Sequence, residues 1–258
     1  MLNFRNANIF FISLLLLSVA IQIVEKSVAV YFYIILAGVY SLLLFYGCYY
    51  VGSNFFIPVI CSAQTSKKVI ALSFDDGPTA GNTLQILKIL KDVNAEAAFF
   101  CIGSHIAQNK AILKQAYNEG HLIGNHTFSH HFWFDMFSAK KMLADMQMMD
   151  EAMNGVIGKT PKLFRPPYGV TNPNLKKAII QGNYIPVGWS IRSMDTIIKD
   201  EKMLLNKVVR KIKPGSIFLF HDTSDATIAV LPAIIKHIQI NGYEILRLDK
   251  MLNLQAYA

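Results

Sequence analysis

The chain has 258 residues, a formal net charge of +8 and 53% apolar content, averages that cover two unlike parts. Three cysteines make no disulfide framework, and the basic residues are scattered in pairs (Lys67-Lys68, Lys140-Lys141, Lys176-Lys177, Arg210-Lys211) without a single block. This excludes a disulfide-stapled scaffold and gives no ground for a nucleic-acid partner, while still suiting anionic glycans or lipid headgroups.

Residues 9–24 are an uncharged apolar run of 16, and residues 28–51 add 24 more after the interruption at Glu25-Lys26. About 20 apolar residues cross a bilayer core as helix, so the second run qualifies comfortably and the first marginally. Ser18-Val19-Ala20 loosely resembles a signal-peptide cleavage site. The leading segment carries only Arg5, however, and apolar residues continue through Val24, so a retained pair of transmembrane helices is expected. Tyr46, Tyr49 and Tyr50 fit an interfacial aromatic belt. The expected organisation is a membrane anchor over 1–64 and one soluble domain over 65–258. Without Arg5, Lys26 and Glu25, the remainder keeps 23 basic against 16 acidic residues, enough chain for a sizeable core.

From residue 68 onward, β-rich runs alternate with helical patterns. Strands are expected over 68–74, 97–101, 121–124, 162–164, 185–189, 216–220 and 243–248. Helices are expected over 83–93, capped by Asn82, and over 109–119 and 138–156, the latter capped by Ser138; three more lie near 173–181, 200–212 and 227–241. Strands separated by helices imply a parallel sheet with right-handed crossovers. Seven such units in this length favour a closed or nearly closed β/α barrel over a doubly wound sheet. In barrels the chemistry lies where strands end and βα loops begin.

The strand ends carry nearly every functional-looking side chain. They present Asp75-Asp76, then Asn125-His126 with His130-His131, then Arg165 with Tyr168, then Trp189, Arg192 and Asp195, and finally Leu219 with His221-Asp222. His126 and His130 are four apart, so on a helical turn both imidazoles share one face. Alone such a pair is weak, but two His and one Asp make a common catalytic zinc set with a position open for water. This also explains a like-charged Asp pair at a strand tip. One carboxylate binds a cation while its neighbour, projecting differently, accepts a proton from a metal-activated water.

With these residues in view, the sequence closely resembles the polysaccharide deacetylases, the NodB-homology domain of carbohydrate esterase family 4. The resemblance covers about 68–248. "SFDDG" looks like the first family motif, implying Asp75 as general base and Asp76 as metal ligand. "HTFSH" is similar to the second and supplies His126 and His130 as the other ligands. "RPPYG" resembles the third, with Arg165 orienting Asp75 and the Tyr168 backbone N–H holding the oxyanion. "LFH" matches the last, giving His221 as general acid and Leu219 as a wall of the acyl pocket. The fourth motif departs from the pattern: the family commonly has Asp, two residues, then Asp-Trp, whereas this chain has Arg192-Ser-Met-Asp195-Thr196. Asp195 keeps the carboxylate that would tune His221, while Arg192 and Thr196 change the substrate groove.

The resemblance implies a distorted seven-stranded (β/α) barrel and metal-dependent removal of N-acetyl groups from GlcNAc-type sugars of a glycan, releasing acetate. Zn2+ is the expected ion, with Co2+, Mn2+ or Ni2+ as substitutes. The expected partners are an N-acetylated glycan and, through the N-terminal helices, the lipid bilayer; no protein partner is inferred. The alternatives are an O-acetyl esterase on the same fold and a non-catalytic glycan-binding protein. A multi-pass protein of a bacterial cell membrane is expected. Lys67 and Lys68 with Arg5 against Lys26 weakly favour a cytoplasmic domain, but the glycan substrates favour an extracytoplasmic one, which is the expectation. Residues 131–137, rich in aromatics, are expected to form a packed loop, Met142, Met146, Met149 and Met153 to fill core, and His105, His121 and His237 to lack partners.

Overall fold

The computed structural model of the protein describes residues 2–258. Helix α1 (Phe4–Glu25) is capped by Asn3, whose side chain accepts from the Asn6 amide, and ends at Lys26 in the left-handed region. Helix α2 (Val30–Tyr49) runs back beside it, tied by a 2.6 Å bond between Tyr40 Oη and Asn8 Oδ1. At 1.5 Å per residue these helices measure about 30–33 Å, the depth of a bilayer core. Ile9, Phe10, Leu16, Ile34, Leu42 and Phe45 are all more than half exposed. Helices that are apolar all round and mostly exposed suit lipid, and both are candidate membrane spans. The first helix is longer than its 16-residue apolar run because it takes in Phe4 to Asn8, where Arg5 and two Asn lie at its end.

The rest is an alternating α/β unit in chain order: β1 (Val69–Asp75), α3 (Asn82–Asp92), β2 (Ala98–Cys101), α4 (Gly103–Ile106), α5 (Lys110–Asn118), β3 (Leu122–Asn125), α6 (Ala139–Ile157), β4 (Leu163–Phe164), α7 (Pro173–Gly182), β5 (Ile185–Pro186), β6 (Ile191–Arg192), α8 (Glu201–Val209), β7 (Ile217–His221), α9 (Asp225–Ile240), β8 (Glu244–Ile245) and α10 (Leu248–Leu252). Among the described residues the strands pair in the order β5-β4-β3-β2-β1-β7-β6, all parallel, with β8 joining β1 at Val69 and Ile70. The two edge strands belong to one passage of chain. Its start pairs with β4 and its end with β7, so the sheet curls towards closure as the expected distorted barrel of seven strands. Ile60 bridges Val187, and Ser62 bridges Ser216, across the remaining gap. The expected fifth strand is therefore divided, and the last is short because Leu248 begins a helix.

Alternation along β1 decides what each residue does. Ile70, Leu72 and Phe74 pack outward on Ile86, Leu87 and Leu90 of α3 and Ile234 and Ile238 of α9. Ala71 packs in a separate interior cluster with Ala98, Phe100 and Ile217, and Ser73 and Asp75 share its side of the strand. Met142, Met146, Met149 and Met153 of α6 are buried, as their spacing predicts, and Ser138 caps that helix through the Lys141 amide. Asn82 does not cap α3: it is the first helical residue, and its amide donates to Asp225. The three cysteines are free thiols. Residues 51–63, grouped with the anchor on sequence, pack on the barrel, with Val51, Ile57 and Val59 buried beside Phe164, Leu175 and Ile179.

Candidate active site

Asp75 is the last residue of β1 and stands in register with His221, the last of β7. Neighbouring strands lie about 4.8 Å apart, so the two side chains flank one point at the barrel mouth. Asp75 Oδ1 accepts from Arg165 Nη1 at 2.7 Å. Arg165 is fully buried, and its other donors go to Ser73 Oγ and to the Val187 and Gly188 carbonyls, with the guanidinium 4.0 Å over the Phe100 ring. Every bond of this side chain fixes the direction of Asp75, and the planar fork makes that rigidity available. Burial pushes the Asp75 carboxyl upward, against the opposing pull of Arg165 and His221.

His126 and His130 converge, but not on a helical turn. The chain leaves β3 through Thr127 at φ 68° and His130 at φ 42°, a non-helical turn. Asn125 Oδ1 accepts from Thr127 N, Thr127 Oγ1 from His130 N, and Asp145 on α6 takes the Phe128 and Ser129 amides and the Ser129 hydroxyl. These bonds hold the left-handed backbone that a helix would not need. His126 Nδ1 bonds the Arg165 carbonyl at 2.8 Å, leaving Nε2 for the site. Its Nε2 is 3.5 Å from Asp76 Oδ1, and His130 Nε2 is 3.6 Å from the same oxygen. The His126 contact is not an ion pair, because burial and the neighbouring His130 hold His126 down to about 3, neutral at pH 7.

The three donor atoms fit a cation. Asp76 Oδ1 is buried without a hydrogen-bond partner, and the separations are too long for mutual hydrogen bonds. Two donors each about 2.0–2.2 Å from one tetrahedral ion lie roughly 3.3–3.6 Å apart. Asp75 Oδ2, 3.8 Å from His126 Nε2, faces the same space.

Opposite, His221 Nδ1 bonds Asp195 Oδ1 at 2.8 Å, so Nε2 faces the mouth. Burial alone would lower the His221 imidazole, but the bond and charge of Asp195 outweigh it and carry it up to about 8. Asp195 is fully buried and also accepts from Ser193, Thr227 and the His221 amide. Burial would raise its carboxyl, but the bond and charge of the His221 imidazole, with the Thr227 and Ser193 bonds, hold it below the usual carboxylate range. Leu219 lies one alternation below His221, buried, and Tyr168, at φ 58° after two prolines, places its ring 5.0 Å from that of His130.

All nine residues singled out on sequence thus gather at one end of the barrel: Asp75, Asp76, His126, His130, Arg165, Tyr168, Asp195, Leu219 and His221. Sequence reasoning missed Ser73 under Arg165, Asp145 under the turn before His130 and Thr227 on Asp195, all far from those partners in the chain, and also Ser193, which bonds Asp195 from two residues away. His105 does have a partner, its Nδ1 bonding the Asp76 carbonyl at 2.8 Å, and His121 Nδ1 accepts from Ala97 N. Asp222 lies behind the Asp pair. Its amide donates to the Asp75 carbonyl and its Oδ2 accepts from Thr83, while Oδ1 has no partner. A Cβ on Gly77 would come within 1.9 Å of that carboxylate, so only glycine lets the turn close here. In the aromatic loop Phe134 is buried and Phe137 partly so, but Phe132, Trp133 and Met136 are exposed, so the expectation of a packed loop holds for half of it.

Residues 62–186 match the polysaccharide deacetylase family. A peptidoglycan-N-acetylglucosamine deacetylase of Bacillus cereus (strain ATCC 14579) is 34% identical over 199 residues, covering 75% of this chain and 92% of that protein. The chain belongs to the polysaccharide deacetylase family. Peptidoglycan-N-acetylglucosamine deacetylase PgdA of Listeria monocytogenes is 30% identical over 203 residues, 78% of this chain, and this chain spans 42% of that longer protein. Among solved structures, the Bc1960 peptidoglycan N-acetylglucosamine deacetylase superposes with a TM-score of 0.73 at 31% identity, covering 78% of this chain and 95% of that one. A family 4 carbohydrate esterase from Streptomyces lividans, in complex with acetate, gives 0.65 at 28%, covering 70% and 93%. The segment matched by the family ends at 186, so the Asp195–His221 pair lies beyond it and is placed by geometry.

Proposed function

We propose that this protein is a membrane-anchored, metal-dependent hydrolase that removes N-acetyl groups from GlcNAc-type sugars of a glycan, releasing acetate. The observation that carries this reading is the convergence of the Asp76, His126 and His130 donors between a carboxylate fixed by Arg165 and an imidazole fixed by Asp195. A divalent cation held by those three residues would supply Lewis-acid polarisation of the acetamide carbonyl and lower the pKa of the attacking water. Asp75 accepts the proton of that water as it adds to the carbonyl carbon. The Tyr168 backbone N–H donates to the oxygen as charge develops there. Leu219 walls the methyl group. His221, protonated at neutral pH, delivers its Nε2 proton to the amine as the C–N bond breaks, and Asp195 holds the resulting tautomer. The products are acetate and a free amino sugar. α1 and α2 serve as the anchor, with the catalytic domain outside the membrane where such glycans lie.

The test is acetate release from GlcNAc oligomers by the full chain in detergent, with and without a divalent chelator. Acetate that disappears on chelation and returns with Zn2+ is expected; a wild-type protein that releases none from any N-acetylated glycan refutes the reading. An alkaline phosphatase fused at Ala258 should be active in cells, and an inactive fusion puts the domain inside.

A further inference from the structure

A groove of about 780 Å³ beside the catalytic centre runs from Tyr168 and Trp189 at the barrel mouth to Tyr49, Tyr50 and Val51 at the end of α2. The two ends are physically joined. The loop carrying Arg165 and Tyr168 continues into Thr171, whose N–H and hydroxyl donate to the Cys48 and Gly47 carbonyls of α2 at 3.0 and 3.1 Å. The catalytic mouth is therefore fixed next to the tyrosines that end the second candidate span, where headgroups lie in a bilayer.

Charge in this groove is one-sided. Arg192 and Lys211 line it, and an adjoining cavity of about 460 Å³, which shares Ser62, Ser190 and Lys211, adds Arg210 and Lys213. No Asp or Glu lines either space, and among the described residues no carboxylate lies within 4.0 Å of any of these four cations. Arg192 pairs with Leu219 across β6 and β7, and its guanidinium lies 5.9 Å from the Trp189 ring, as does that of Arg165 on the catalytic side. The Trp189 indole is thus a common neighbour of the cation of the groove and of the one that fixes Asp75. A cleft with unopposed cations concentrates anions, and a guanidinium beside an ammonium suits phosphate.

We propose that this groove binds the phosphate of an N-acetylated saccharide, with Arg192 and Lys211 as its anion ligands and the acetamide end reaching Asp75 and His221. The acetamide end of this assignment rests on the deacetylase reading; the phosphate end does not. A phosphate at this depth belongs either to a lipid-linked saccharide presented by the bilayer or to a soluble sugar phosphate.

Calorimetry on the full chain in lipid nanodiscs decides the phosphate. N-acetylglucosamine 1-phosphate should bind about tenfold or more tightly than N-acetylglucosamine, as charge-assisted contacts supply. The Arg192→Gln/Lys211→Gln variant, checked for an unchanged melting curve, should lose most of that preference, and Arg192→Lys should recover part. Equal affinity for the two sugars, or a preference untouched by the double variant, overturns the proposal. For the source, acetate release is compared between an N-acetylglucosaminyl diphospholipid in vesicles and the water-soluble sugar phosphate. Faster release from vesicles assigns the groove to lipid-linked substrate, and faster release from the soluble compound assigns it to sugar phosphates. Acetate from neutral oligomers with no phosphate preference removes this inference and leaves the deacetylase reading standing. Phosphate-selective binding without acetate from any substrate does the reverse.

Discussion

Asp75 and His221 end neighbouring strands in register, yet their supports push them to opposite proton states. Arg165 holds the carboxylate as an acceptor, and Asp195 holds the imidazole as a donor at neutral pH. Asp75→Asn should abolish acetate release and retain the metal, since the ligand set is untouched. His221→Ala should lose about 100- to 10,000-fold on GlcNAc oligomers, the usual worth of an acid or base, and much less on an aryl acetate whose leaving group needs no proton. Equal losses on both substrates would remove His221 from the acid role. The pH dependence has a definite sign. His221 lies at about 8, above its ordinary 6.5, so the donor form is filled below that pH and activity should fall as pH rises through about 8. Folding linkage has the same sign: the stability contributed by the His221 imidazole is complete below about 6.5 and is lost as pH rises through about 8. Asp195→Asn removes the stabilising charge, so the alkaline limb of the rate profile should move to lower pH; an unmoved limb belongs to another group.

Among the elements, the turn after β3 is where sequence pattern and backbone disagree. Spacing of four suggests helix, but Thr127 and His130 have positive φ, and residues without a flexible backbone need outside support to stay there. Asp145 supplies it from α6 by accepting three bonds from Phe128 and Ser129. Asp145→Ala should therefore weaken metal affinity about 10- to 100-fold without touching a ligand, the range seen when groups supporting metal ligands are removed. Asp145→Asn keeps an acceptor for the amides and should recover much of the loss. Equal metal affinity in Asp145→Ala and wild type, measured by competition with a chromogenic chelator, would show that the turn holds itself.

At the scale of the whole molecule, the link between anchor and barrel is part of the barrel. Val51, Ile57 and Val59 are buried, and Ile60 bridges Val187 of the fifth strand passage while Ser62 bridges Ser216 before β7. A fragment 51–258 should melt well above a fragment 65–258, since burying each such side chain contributes about 1.5–3 kcal/mol; matching melting temperatures by circular dichroism would contradict this. The sequence by itself determined the two apolar helices, the strand-helix alternation, the parallel sheet and the residues at its active end. Each follows from local rules: an uncharged run of membrane length, apolar spacing of 2 or 3.6, and polar residues stopping an apolar strand. Asp75 could be placed at the mouth because it ends a strand whose alternation is fixed. The tertiary structure alone decided the rest. It set Asp145 under the turn after β3, Ser73 on Arg165, Thr227 on Asp195, and the end of α2 against the loop of Tyr168. These partners are separated by 17 to 124 residues, and no local preference encodes a contact that exists only once distant elements have packed.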